Sequence, residues 1–130
     1  QEQGLRVVML GGPGDVTAAP SILAAAPHIV SMVGQCTVRE SAALIKHAAL
    51  VIGVDTGLTH MGIAFGVPTV ALFGSTRPYL DTTRRNARVL YEPLACSPCR
   101  RRPTCGGEFT CMRLHTVDAV NAATRQVRAA

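Results

Sequence analysis

A short polar run between two apolar segments carries the residue types that bind phosphate. It reads Asp55-Thr56-Gly57-Leu58-Thr59-His60 and lies between the apolar stretches 50–54 and 69–73. The apolar pattern predicts a buried strand before this run and a helix that begins at about Gly57. A helix N-terminus presents unpaired N–H groups and the positive end of the helix dipole, so it attracts phosphate. The sequence therefore predicts an anion site at the start of this helix.

The side chains of the run suit such a site to different degrees. Thr56 and Thr59 offer hydroxyl donors, and Gly57 leaves room for a ligand to approach the backbone. His60 lies four residues after Thr56, on the same helical face, where it can reach a phosphate oxygen; the alternative is an ordinary surface histidine. Asp55 is the exception, since a carboxylate repels phosphate. It either caps the helix or binds a hydroxyl, a metal or the helix N–H groups.

Alternating strand and helix signals predict the framework that positions this run. The predicted strands are 5–10, 28–33, 50–54, 69–73 and 88–91, and the predicted helices are 16–26, 37–49, 57–65 and 116–129. Thr37 and Glu40 fit a capping box at the start of the second helix. This order favours an α/β fold with a Rossmann-like, three-layer parallel sheet. Ligands of such sheets bind beyond the carboxyl ends of the strands, which is where residues 55–60 fall.

Composition argues against a disordered protein and against one that spans a membrane. The chain has 130 residues, of which 48% are hydrophobic and 16% charged, so it is globular and of a size for one domain. No apolar run approaches the roughly 20 residues that span a bilayer. Because the chain lacks an initiator methionine and a secretory signal, we expect it to be an excised domain, 1–130, of a longer protein.

The net charge of +5 is concentrated in residues 77–113. That segment holds eight arginines against three acidic residues: Arg77, Arg84, Arg85, Arg88, Arg100, Arg101, Arg102 and Arg113 against Asp81, Glu92 and Glu108. Such a segment predicts an anionic partner, which is a phosphate, an acidic lipid headgroup or a nucleic acid. The alternative is a solvated basic face.

Four of the five cysteines lie in the same segment. Cys96, Cys99, Cys105 and Cys111 follow the spacing C-x2-C-x5-C-x5-C. Four thiolates suit a tetrahedral structural zinc, although the pairs lie closer together than in common zinc ribbons. Disulfides and free thiols are the other two readings, and a reducing compartment argues against stable disulfides.

Several stretches together resemble one known family. They are residues 55–60, the run AFGVPTVALFG at 64–74, Thr76-Arg77-Pro78, Gly11-Gly12-Pro13-Gly14-Asp15 and the predicted helix 37–49. In order and spacing they closely resemble the C-terminal domain of glycosyltransferase family 9, the ADP-heptose:lipopolysaccharide heptosyltransferases. The resemblance covers about residues 5–120 of this chain.

The resemblance implies the C-terminal, nucleotide-sugar-binding half of a GT-B glycosyltransferase. Such an enzyme transfers heptose from ADP-heptose to the lipopolysaccharide inner core with inversion and without an essential metal. The acceptor, lipid A with its core sugars, and the catalytic base belong to an N-terminal domain that has no counterpart here. The chain alone is therefore expected to bind nucleotide weakly and to transfer no sugar. The resemblance also implies a cytoplasmic protein, peripheral on the inner face of the bacterial inner membrane.

The resemblance assigns roles residue by residue. Thr56, Gly57 and His60 would hold the diphosphate, with His60 stabilising the leaving group and Asp55 beside it. Asp15 would bind the ribose hydroxyls. Cys36, in the stretch Gly34-Gln35-Cys36, would line the adenine pocket; the alternative is a small buried apolar residue.

A rival interpretation rests on the arginines and cysteines alone. They would suit a zinc-containing, basic nucleic-acid-binding module. The chain has no tryptophan, two tyrosines and three phenylalanines, so it offers few rings on which bases could stack. That module also leaves residues 55–60 unexplained, and the sequence therefore disfavours a nucleic-acid partner.

Overall fold

The computed structural model describes residues 4–130. The chain divides into two compact units, of which the first ends at Ala43 and the second runs from Leu44 to Ala130. Both units contain parallel strands and helices, as predicted for an α/β protein. Among the helices of the described residues, none has the length and apolar character needed to cross a bilayer.

The first unit is built on two short parallel strands. Strand β1, Val8–Met9, pairs with β2, Val30–Ser31. Between them lie a 3-10 turn at Pro13–Asp15 and helix α1, Ala19–Ala25, which has a proline in its first turn, where proline is tolerated. Two residues of each predicted six-residue strand form the ladder. The prediction was longer because apolar patterning indicates extended chain whether or not a partner strand is present.

Helix α2, Val38–Lys46, begins with the predicted capping box. The Glu40 N–H donates to Thr37 Oγ1 at 3.2 Å, and the Thr37 N–H donates to Glu40 Oε2 at 2.7 Å. Two N–H groups that the helix cannot satisfy by itself are thereby paired. The hydrogen bonds from Thr37 also lower the pKa of the Glu40 carboxyl.

The second unit contains a three-stranded parallel sheet of order β3-β4-β5. The strands are β3, Val51–Val54, β4, Thr69–Phe73, and β5, Ala87–Tyr91. The helices are α3, Gly57–Ala64, α4, Thr110–Arg113, and α5, Val117–Arg128. Strand boundaries in this unit lie close to the predicted ones, but residues 4–130 contain two sheets where a single one was predicted.

Helices cover both faces of the second sheet. Thr69 of β4 faces α3, since a Cβ built on Gly62 of α3 would lie 2.8 Å from its hydroxyl. Its neighbour Val70 clusters with Ala123 and Val127 of α5. Successive residues of a strand point to opposite faces, so α3 and α5 lie on opposite sides of β4. The predicted three-layer arrangement is therefore present within this unit.

The central and edge strands differ in burial. Val70 and Phe73 of β4 are fully buried, whereas Ile52 and Val54 of β3 are 49% and 45% exposed. The prediction that stretch 50–54 is covered on both faces was therefore wrong. The other face of β3 does pack closely, because a Cβ on Gly53 would overlap the Thr59 hydroxyl of α3. An edge strand with one covered face gives this alternation.

Candidate functional site

Helix α3 starts at the carboxyl end of β3, as predicted. Its N-cap is Thr56, whose backbone is extended and whose side chain makes no capping hydrogen bond. Apart from the adjoining residues and the backbone of α3 itself, no atom lies within 4 Å of the place where a Cβ on Gly57 would sit, so the space beside the first turn is open. Thr59 is turned inward and only 1% exposed, so its hydroxyl does not face this space, contrary to its predicted role as a ligand donor.

His60, in the first turn of α3, is held from two sides. Its Nε2 lies 2.9 Å from Asp55 Oδ1, and its Nδ1 lies 2.6 Å from the Tyr79 hydroxyl. The His60 side chain is 37% exposed to solvent. Asp55 thus acts on His60 and not as the helix cap, which corrects the capping alternative. His60 is correspondingly not an ordinary surface histidine, because both of its ring nitrogens have side-chain partners.

Tyr79 is the functional candidate that the sequence did not reveal. It follows Pro78 in the loop after β4, 19 positions beyond His60. Its ring packs edge-on against Phe73, with centroids 5.3 Å apart, and against His60 at 5.5 Å. Neither helical nor strand periodicity links positions so far apart, so no pattern in the sequence pairs them.

The charges at this site favour an ionised Asp55 and a protonated Tyr79. Partial burial by itself would raise the pKa of Asp55, but the hydrogen bonds from Thr76 and His60 and the nearby Arg101 guanidinium together lower it. The pKa of Tyr79 is raised by partial burial and by the Asp55 carboxylate. The site therefore presents the Asp55 carboxylate, the His60 ring and the Tyr79 phenol in one hydrogen-bonded row.

Two predicted site residues lie in the first unit, in the loops after its strands. Asp15 is exposed, and its Oδ2 accepts the Gly12 N–H at 2.8 Å within its own glycine-rich turn. Cys36 is a half-buried free thiol. It follows Gly34, which adopts a positive φ of 70° and whose N–H donates to the Gly11 carbonyl at 3.0 Å. The carboxyl ends of β1 and β2 thus meet at a backbone-lined turn.

The four clustered cysteines line one cavity of about 220 Å³. All five cysteines of the chain are free thiols, so the structure contains none of the disulfides that the sequence left open. Within residues 4–130, no three or more His, Cys, Asp or Glu side chains are grouped so as to hold a metal ion. The structural zinc predicted for Cys96, Cys99, Cys105 and Cys111 is therefore not confirmed. Cys105 is distinct, since N–H groups from Phe109 and Gly107 lower the pKa of its thiol.

The cysteine-rich segment, residues 92–115, docks on the loop that follows β4. Ser97 Oγ donates to the Gly74 carbonyl at 2.6 Å, and the Arg100 N–H donates to the Ser75 carbonyl at 2.7 Å. Arg101 reaches the α3 start, with its guanidinium 3.9 Å from Asp55 Oδ2. This segment is thus attached beside the carboxyl end of β4, next to Asp55.

The arginines of residues 77–113 make different contacts. Arg77 lies over the Tyr91 ring, 5.1 Å from its centroid, and Arg113 lies 4.0 Å from a carboxylate oxygen of Glu108. Arg84, Arg85 and Arg88 line a separate open pocket together with Asp81.

Comparison with known proteins adds a decisive observation. The family model described as glycosyltransferase family 9 (heptosyltransferase) matches residues 1–108. The chain belongs to this family. The match contains the whole β3–α3 site, including Asp55, His60 and Tyr79.

Individual relatives agree with that membership. The chain is 36% identical to lipopolysaccharide heptosyltransferase 3 of Escherichia coli over 78 residues, which are 57% of this chain and 23% of that protein. It is 28% identical to the inactive autotransporter heptosyltransferase BimC of Burkholderia thailandensis, over 95% of this chain and 32% of that protein. The structure of E. coli ADP-heptose lps heptosyltransferase II superposes with a TM-score of 0.78 at 23% identity, covering 98% of this chain and 38% of that one. The chain thus spans less than two fifths of each of these relatives.

Proposed function

We propose that this chain is the donor-binding part of an inverting heptosyltransferase, which takes heptose from ADP-heptose and adds it to the lipopolysaccharide inner core. The observation that carries this proposal is the open first turn of α3. Thr56 leaves the turn without a side-chain cap, and nothing crowds Gly57. Unpaired amides at a helix start are a ready receptor for a diphosphate, and the family match contains them.

The chemistry assigns a task to each part of the site. In the transfer, an acceptor hydroxyl oxygen bonds to the anomeric carbon of the sugar while the bond from that carbon to the diphosphate oxygen breaks. Negative charge then grows on the leaving ADP, where the α3 amides and Thr56 stabilise it. We assign Asp15 to the ribose hydroxyls, since paired hydroxyls suit a carboxylate acceptor, and Cys36 to the rim of the adenine pocket.

The remaining functions fall to parts of the parent protein outside this chain. The acceptor, lipid A with its core sugars, and the base that activates its hydroxyl are assigned to the preceding domain. We assign the sugar transfer to the cytoplasmic face of the bacterial inner membrane, where such an acceptor is anchored. We therefore expect the chain alone to bind ADP without transferring sugar. Because one relative is named as inactive, binding and turnover have to be measured separately.

The binding test compares two substitutions at Gly57. Proline is tolerated at the first helical position and removes one N–H, whereas alanine keeps it. Thr56 already has the extended backbone that precedes proline, with φ −138° and ψ 161°, so Gly57→Pro is compatible with the fold. Either side chain finds open space. The two variants therefore differ chiefly in one N–H donor.

Calorimetric titration with ADP, carried to millimolar concentration, measures the difference. We expect Gly57→Pro to bind ADP roughly ten- to a hundred-fold more weakly than Gly57→Ala, the range for one lost hydrogen bond to a charged group. Thermal unfolding of both variants checks that the fold is kept. Equal affinities for the two variants, or no ADP binding by the unmodified chain, would overturn the proposal.

A further inference from the structure

We propose that Tyr79 is a positioning residue of the donor site and that it works as one unit with His60 and Asp55. In this unit, binding of a nucleoside diphosphate turns the Tyr79 hydroxyl from His60 to the ligand, and His60 takes up one proton. The inference rests on the proposed function and adds to it a residue and a proton that neither the sequence nor the family match assigns.

Without a ligand, the few hydrogens on His60 and Tyr79 decide which of these atoms donate and which accept. Nε2 of His60 lies 2.9 Å from the Asp55 carboxylate, which can only accept, so Nε2 carries a hydrogen. A neutral imidazole then has a bare Nδ1, which lies 2.6 Å from the Tyr79 hydroxyl. Tyr79 keeps its proton, because burial and Asp55 both oppose the phenolate. The Tyr79 O–H therefore donates to His60 and has no hydrogen left for a ligand.

A bound diphosphate changes this distribution. When a proton from water is added at Nδ1, the imidazolium donates to the Tyr79 oxygen, and the Tyr79 O–H becomes free to donate to a phosphate oxygen. No heavy atom has to move, since only the hydroxyl hydrogen rotates. The negative ligand favours the added positive charge on His60. His60 thus reaches the ligand through Tyr79, which resolves the difficulty that both of its ring nitrogens are already engaged.

The groups packed around His60 leave room for such a change. Asp55 lies at Nε2, and the Arg101 guanidinium lies 3.9 Å from the other oxygen of that carboxylate. Phe73 lies 6.4 Å away between ring centroids and is apolar, and Thr76 acts only through its bond to Asp55. Both charged groups lie on the Nε2 side of the ring, so a negative ligand near Tyr79 would bring charge to the Nδ1 side, where the structure of the described residues records only the Tyr79 hydroxyl as a polar partner.

The test uses the two tyrosines of the chain as variant and control. Tyr79→Phe removes the hydroxyl and keeps the ring contacts with Phe73. Tyr91→Phe removes a hydroxyl that lies 3.3 Å from Ser97 Oγ and is not a recorded partner of His60. ADP titrations at pH 8 in buffers of different ionisation enthalpy give affinity and proton uptake together.

We expect proton uptake of up to one per ADP bound in the unmodified chain and in Tyr91→Phe. In Tyr79→Phe we expect the uptake to disappear and the affinity to fall roughly tenfold or more, as for one charge-assisted hydrogen bond. Adenosine, which lacks the diphosphate, should cause no uptake. Nitrogen NMR of the His60 ring without ligand should report a hydrogen on Nε2 and a change at Nδ1 in Tyr79→Phe.

Failure of this inference can be told apart from failure of the proposed function. If Gly57→Pro weakens ADP binding while Tyr79→Phe binds and takes up protons like the unmodified chain, Tyr79 has no such role and the donor site stands. Binding without any proton uptake would overturn the inference in the same way. An unchanged Nδ1 signal in Tyr79→Phe would overturn the hydrogen-bonded unit itself, whether or not ADP binds.

Discussion

The β3–α3 site and the cysteine-rich segment both attract attention by residue spacing, and the fold treats them differently. Residues 55–60 straddle a strand end and a helix start, and there the structure joins Asp55 to His60 as close neighbours. The cysteines of residues 96–111 lie in mostly irregular chain. They share a cavity, but no metal-binding group forms among the described residues. Spacing predicts geometry where a regular element fixes the distance for each residue step, and it loses that power in irregular chain.

The largest expected effect comes from replacing His60 in the full-length parent protein, which tests whether the β3–α3 site is functional. We expect His60→Ala to lower turnover by roughly ten- to a thousand-fold, because under the proposed function His60 helps to stabilise charge on the leaving diphosphate. His47→Ala, at an exposed histidine just after α2, serves as the control. Steady-state kinetics with the sugar donor measure both. Turnover within twofold of the unmodified enzyme would remove His60 from the mechanism.

A smaller effect tests whether close packing of the regular elements positions the site. A Cβ on Gly53 would overlap the Thr59 hydroxyl, so Gly53→Ala must displace either the Thr59 side chain or the α3 helix. We expect the free energy of unfolding to fall by about 1–3 kcal/mol, as for an overpacked core. Gly57→Ala, where the added methyl meets open space, should cost much less. Chemical denaturation compares the two variants, and equal losses would mean that the β3–α3 contact adapts freely.

The smallest effect concerns the cysteine-rich segment. N–H groups lower the pKa of the Cys105 thiol, so a larger share of it is thiolate at neutral pH than for an unperturbed cysteine. We expect Cys105 to be alkylated several-fold faster than exposed Cys96 at pH 7, with the difference shrinking as the pH rises and both thiols ionise. Mass mapping of peptides after brief iodoacetamide treatment measures this.

The same alkylation experiment with zinc present sharpens the comparison. If one equivalent of zinc protects Cys96, Cys99, Cys105 and Cys111 together, the cavity closes into a metal site and the spacing was informative after all. Protection of Cys105 alone, or of none, leaves this segment as a cluster of free thiols.

The elements that the sequence predicted well are those with a local cause. The Thr37–Glu40 capping box and the end of α3, which Gly66 with its positive φ of 77° follows closely, depend on neighbours within four residues. The exposure of Ile52 could not be read in this way, since it depends on which strands pair with β3. Tyr79 was missed for the same reason, because a loop folded back after β4 brings it to His60. Long-range contacts carry no period in the sequence.

The packing of α5 on β4 determines where the protein can be truncated. The family match stops at residue 108, whereas Ala123 and Val127 of α5 shield Val70 in the middle of the sheet. Trimming the gene at the family boundary would strip that shield and leave a bare aliphatic surface that invites aggregation. A soluble fragment for binding studies should therefore run to at least Arg128, where α5 ends.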